Sequence, residues 1–179
     1  MTTDEIKLLF EYHYWANRRI LSVSARMNPE QYAAPAGMGT SRGGLRATLL
    51  HFLDSDWQWR LTFSGFYSAH LSDEEYRATE LKESEFPDLA ALQKRWTVEE
   101  QWMRAYLAAL TDERLNGVLR YTAESGAVRE RVLWHCLFHV VDHGTHHRSE
   151  AATLLSGYGQ PPGDFDFTLF LNEHFHLAP

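Results

Sequence analysis

Four long stretches of the chain place apolar residues at intervals of three and four. This repeat constrains the fold more than any other feature, because only a helix brings such positions onto one face. The first stretch covers about residues 3–27, with Ile6, Leu9, Phe10, His13, Ala16, Asn17 and Ile20 in register. It stops at "MNPEQY", since Pro29 disfavours helix at the residue before it. The second, about 45–66, carries Leu45, Leu49, Phe52, Leu53, Trp59 and Phe63, and follows a glycine-rich connection in which Thr40 or Ser41 is a candidate cap. The third, about 88–110, carries Leu89, Leu92, Trp96, Trp102, Met103, Tyr106 and Leu107. The fourth, about 131–155, ends at Gly157.

The connections decide how these helices are joined. Residues 67–86 form a polar crossing too long for a tight hairpin, which lets the second and third helices lie parallel, as in bundles with crossover loops. In "VLRYTAESGAVRE" residues alternate about a Ser-Gly turn, so a short β-hairpin is expected before the fourth helix. The tail, "GQPPGDFDFTLFLNEHF", reads as a loop and one short helix packed on the bundle. The fold expected is all-α: a four-helix bundle in a single domain spanning residues 1–179.

Composition narrows the function. At 44% hydrophobic and 23% charged residues the chain is globular, and no apolar run reaches the ~20 residues that cross a bilayer, so a soluble protein with no membrane partner is expected. Charges interrupt the N-terminal stretch and leave no apolar core for a secretory signal, which makes the cytoplasm the expected location. Acidic residues exceed basic ones by seven and no basic patch stands out, so nucleic acid is not an expected partner. The single cysteine, Cys136, rules out an intrachain disulfide and a cysteine-rich zinc site. Any metal must therefore be held by nitrogen and oxygen.

The stretch "FHVVDHGTHHRSEA", Phe138 to Ala151, raises that possibility with four histidines in ten residues. On the fourth helix His135, His139, His143 and His147 recur every four residues, and each step rotates about 40° around the axis, so only neighbours can share a ligand. The apolar face, defined by Leu133, Leu137, Val140, Val141, Gly144, Ala151 and Leu155, selects the pair His143 and His147. His135 and His146 point toward solvent and His139 lies at the boundary. A pair spaced HxxxH can deliver two imidazoles to one ion, as in zinc proteases, but Gly144 stands where that motif carries its glutamate. Hydrogen-bonded core histidines remain the competing reading. For a third ligand the candidates are His51 and His13. His51 shares its face with Ala47, Ser55, Gln58 and Thr62, which suits either a solvent face or the wall of a small polar cavity. Cys136 lies two turns, about 10 Å, before His143 and is expected as a buried structural thiol.

The segments "YHYWANRRIL", "GGLRATLLHFLDSDWQW" and "VLWHCLFHVVDHGTHHRSEAATLL" resemble, in that order, the DinB/YfiT-like family of proposed metal-dependent four-helix-bundle enzymes. "DHGTHHR" is the most specific element; Ser149 and Glu150 depart from the Gly-Gln that often follows it in the family. The resemblance implies a bundle of up-down-down-up topology, often a homodimer, with a divalent metal (Zn, Ni or Fe) held by His51, His143 and His147. It also implies a small-molecule substrate and, in some relatives, transferase or isomerase chemistry with a low-molecular-weight thiol. A metal-binding or stress-associated protein without turnover and a metal-dependent hydrolase are the alternatives. Asp142 and Glu150 read as surface carboxylates or as acceptors that orient imidazoles. Arg148 reads as a partner for a substrate carboxylate or for another helix. The tryptophans Trp15, Trp57, Trp59, Trp96, Trp102 and Trp134 are read mostly as core.

Overall fold

A computed structural model of the protein describes residues 1–35 and 42–176. Its long helices are α1 (Thr3–Ser24), α3 (Leu45–Phe63), α5 (Leu89–Ala108) and α7 (Leu133–Gly157). Short helices α2 (Pro29–Ala33), α4 (Asp73–Arg77), α6 (Asp112–Leu115) and α8 (Phe167–His174) lie between and after them. Strands β1 (Val118–Thr122) and β2 (Val128–Val132) pair antiparallel directly before α7, the expected hairpin.

Local chemistry sets the boundaries. Thr2 caps α1 through a capping box with Glu5. Asn28 and Pro29 do not merely stop α1 but open α2, because asparagine caps and proline is preset for the first turn. Helix α3 stops three residues before the expected end, at Ser64 and then Gly65, whose φ of 82° is a left-handed conformation that glycine adopts without penalty. It begins from Gly44 with no side-chain cap; the candidate caps Thr40 and Ser41 lie outside the described residues.

Side-chain pairs give the helix directions. Along α3 and α5, Phe52 meets Trp96, Arg60 meets Glu99 and Phe63 meets Tyr106, so the two run parallel. Along α3 and α7, His51 lies by His147 while Trp59 lies by His139, so these run antiparallel. Glu11 pairs with Arg104 and Arg18 with Glu100, which makes α1 and α5 antiparallel. The topology is up-down-down-up, and the long crossing between α3 and α5 is what allows it.

Two apolar clusters fill the bundle. One gathers Phe10, Phe63, Leu107, Leu133 and Leu137; the other gathers Ile20, Leu49, Leu53, Leu92 and Leu155. Between them, at corresponding heights on all four helices, the buried residues turn polar: His13 and Asn17 on α1, Glu99 on α5, His147 and Arg148 on α7, with half-buried Asp56 and Arg60 on α3. The candidate site belongs to this polar layer. Of the six tryptophans, only Trp96 is fully buried; the others are half-buried, because their indole N–H groups or flat faces serve polar partners. Trp57, for example, donates to the Thr79 carbonyl and is flanked by the Arg60 and Arg95 guanidinium groups.

Candidate metal centre

Helix α7 brings His143 and His147 to one face, four residues apart, with their Nε2 atoms 3.1 Å from each other. Helix α3 brings His51 against both: its ring centroid is 4.7 Å from that of His147 and 5.4 Å from that of His143. One ring nitrogen from each of the three lies within 4.8 Å of the others. For comparison, two nitrogens of a tetrahedral zinc ion at ~2.0–2.1 Å stand about 3.3 Å apart. His135, His139 and His146 are exposed and stay outside this group.

Protonation suits the same use. Burial, the nearby Arg42 and His147 push the His51 pKa down to about 4. Burial and the neighbouring histidines push His143 down to about 3, and burial also lowers His147. Three neutral imidazoles result near neutral pH. Each has one nitrogen bearing hydrogen and one bearing a lone pair. Glu150 Oε2 accepts from His147 Nδ1 at 2.7 Å, which leaves the His147 Nε2 lone pair facing His143. His51 Nε2 accepts from Arg42 at 2.9 Å, so its lone pair is also at Nε2. His143 Nδ1 is buried with no hydrogen-bond partner among the described residues. The donor set therefore fits a divalent ion: three ring nitrogens gather at one point and a carboxylate behind His147 orients it, while an ion would take the place of Arg42 at His51 Nε2. Glu150 does what the sequence left open, whereas Asp142 is exposed. A second group, His146, His147 and Glu150, also clusters, but it requires an exposed histidine and the nitrogen by which Glu150 orients His147.

His13, the other candidate for third ligand, is placed elsewhere. It is fully buried, with Nδ1 3.3 Å from an Arg148 guanidinium nitrogen and Nε2 3.5 Å from Asp56 Oδ2. Arginine can only donate, so Nδ1 accepts and the ring hydrogen at Nε2 faces Asp56. Burial lowers the His13 pKa and keeps the ring neutral. Arg148, 0% exposed, also donates to Asn17 Oδ1 at 2.9 Å and to Thr145 Oγ1 at 2.8 Å. With its side chain fully buried, Arg148 follows the second of its two sequence readings, a partner for another helix, here through hydrogen bonds from α7 to α1. Gly144 makes this possible: a Cβ there would stand 2.6 Å from the His13 ring and 2.8 Å from the Arg148 guanidinium. A glutamate at that position, as in HExxH, has no room.

The face of α3 that carries His51 lines a cavity of about 450 Å³. Ser55, Gln58 and Thr62 line it too, so of the two readings for this face the cavity wall is correct. Its other walls come from parts of the chain with no helical repeat: Tyr67, Tyr76 and Glu80 from the crossing, Tyr121 and Glu124 from the hairpin, and Arg42 ahead of α3. Sequence periodicity carries no signal for these. Cys136 is buried in the apolar cluster nearest the hairpin, where burial raises its pKa, away from the histidine group.

Comparison with known proteins agrees with this architecture. The model of the DinB family matches residues 1–174. Protein DinB of Bacillus subtilis (strain 168) is 29% identical over 168 residues, a match that covers 92% of this chain and 94% of that protein.

Proposed function

The chain belongs to the DinB family, and on that premise we propose that it is a metal-dependent enzyme of the thiol-transferase type, with one divalent ion held by His51, His143 and His147. The observation that carries this reading is the convergence of three neutral imidazoles from two helices, with one ring nitrogen of each within 4.8 Å of the others. Such a set leaves the ion its full charge and an open coordination position, where a thiol or water loses its proton more readily than in solution.

The chain's own groups supply the rest. Glu150 holds His147 in one tautomer, and the cavity beside His51 offers a small substrate a place next to the centre. At about 450 Å³ it has the size of an ordinary small-molecule site. Among the described residues no helix is long and apolar enough to cross a membrane.

Substitution of cobalt(II) for the native ion tests the proposal. Addition of a low-molecular-weight thiol should produce a sulfur-to-cobalt charge-transfer band in the near ultraviolet, and the band should be absent in His147→Ala. If millimolar thiols leave the cobalt spectrum unchanged, the transferase reading fails and hydrolysis or simple metal storage takes its place.

A further inference from the structure

The cavity beside His51 is lined by three carboxylates that form no ion pair among the described residues. Asp54 lies half-buried in its wall, and Glu80 and Glu124 stand exposed at its edge. Several acidic side chains elsewhere have cationic partners: Glu11 with Arg104, Glu83 with Arg46, Glu99 with Arg60 and Arg95, Glu173 with Arg19. Among the described residues, no lysine, arginine or histidine forms an ion pair with Asp54, Glu80 or Glu124. Arg42, the cation lining the same cavity, is turned instead to His51 Nε2 at 2.9 Å.

Asp54 is the most telling of the three. Its Oδ1 accepts from the Leu81 backbone N–H at 2.8 Å, and burial still raises its pKa, as expected for a carboxylate that lacks a countercharge. Aromatic faces stand around the same space. Trp59 and Tyr121 contact each other at 5.8 Å between ring centroids, and Tyr67 and Tyr76 stack at 5.4 Å. Carboxylates together with aromatic faces attract an organic cation, through charge and through the ring quadrupoles, more than they attract a neutral or anionic group.

We propose that the cavity beside His51 binds a small molecule bearing an ammonium group, held by Asp54, Glu80 and Glu124 against the aromatic walls, with its reacting atom directed at the three-histidine centre. The proposal deepens the metal-enzyme reading and rests on it for the reacting end of the ligand. The cationic end rests on the cavity alone. An anionic ligand drawn by Arg42 is the competing outcome.

Two experiments separate these dependences. In the first, the cobalt(II)-loaded protein is titrated with cysteamine, 2-mercaptoethanol and mercaptoacetate, which carry a positive, a neutral and a negative end on similar thiols. Cysteamine should bind about tenfold tighter than 2-mercaptoethanol and tighter still than mercaptoacetate. Asp54→Asn should remove most of that preference, and Glu80→Gln/Glu124→Gln, confined to exposed edge residues, should remove part of it. Equal affinities, or a preference for mercaptoacetate, would overturn the proposal. The second experiment needs no thiol: choline and its neutral isostere 3,3-dimethylbutan-1-ol are titrated into the metal-loaded protein while tryptophan indole resonances are followed by NMR. Choline should perturb one indole, expected to be Trp59, at concentrations about tenfold below the alcohol. A choline preference with no cobalt–thiol band would sink the transferase reading and leave the cation site standing. No preference for choline over the alcohol would sink the cation site whatever the thiols do.

Discussion

Two neighbours on α7, His147 and Arg148, enter two halves of one buried polar layer, and the halves are finished in opposite ways. Around Arg148 most of the hydrogen bonding is closed within the protein, although Arg148 Nε and Asn17 Nδ2 are buried without a partner among the described residues. The guanidinium donates to Asn17 and Thr145, and both nitrogens of His13 are in use, one toward Arg148 and one toward Asp56. Around His147 the bonding is closed behind the ring by Glu150, and in front of it stand the rings of His143 on the same helix and His51 on α3. A buried polar group without a partner is costly, and the cluster of three ring nitrogens is the place where an ion would complete the layer. The same residue type is thus structural at position 13 and a candidate ligand at 147. The difference lies in the partners: His13 is held between Arg148 and Asp56, whereas His147 stands beside two further imidazoles.

The largest effect should come from removing a ring of the open half. His147→Ala is expected to lower metal affinity by more than about a hundredfold, with the loss of roughly one ion per chain in elemental analysis. His13→Phe should keep the ion. A His13 variant that folds but loses metal would erase the distinction between the halves.

Stability should show the reverse pattern. His13→Phe cuts the path by which the Arg148 charge is balanced at Asp56, and about 3 kcal/mol should be lost in urea unfolding. Gly144→Ala forces a methyl against His13 and Arg148 and should cost about 2 kcal/mol. Metal-free His147→Ala should unfold close to the metal-free parent.

A smaller effect is expected one step behind the ligands. Glu150→Gln retains the shape but weakens the acceptor that fixes the His147 tautomer, and metal affinity should fall about tenfold with little change in the unfolding midpoint. If the loss matched that of His147→Ala, Glu150 would be a ligand and the second group, with His146, would replace the first.

The smallest effect concerns acid. In the folded, metal-free chain His51 and His143 are held at about 4 and about 3, below the ordinary 6.5 that they regain on unfolding. The unfolded chain therefore binds more protons between those values, so stability is whole above about pH 6.5 and declines as the pH falls toward 4. Unfolding midpoints from pH 7 to pH 4 should show this slope, and His143→Ala should flatten it.

Much of the site was legible as periodicity. His143 and His147 are fixed to each other by a four-residue spacing on a helix whose apolar face the sequence displays, so their common direction followed without tertiary information. His51 was not legible in the same way. Its face reads as Ala47, Ser55, Gln58 and Thr62, small and polar, and such a stripe looks alike beside water or beside a cavity. His13, by contrast, lies in the apolar register of α1, which announces burial but not partners. Only the resemblance in "GGLRATLLHFLDSDWQW" favoured His51 over His13; in the fold it is His51 that stands beside the pair on α7, while His13 packs against Arg148 and Asp56.

By itself the sequence determined four amphipathic helices, the hairpin, the long crossing that permits a parallel α3 and α5, and the inward pair on α7. These are consequences of spacing along one chain, which helical geometry converts directly into direction. The tertiary structure alone decided that His51 meets that pair, that His13 and Arg148 close on each other over Gly144, and that Asp54, Glu80 and Glu124 share a cavity with Arg42. Those relations join residues tens of positions apart, from helix, crossing and hairpin. Nothing in local spacing encodes which distant hydrogen bonds are filled and which lone pairs or carboxylates are left facing an empty space.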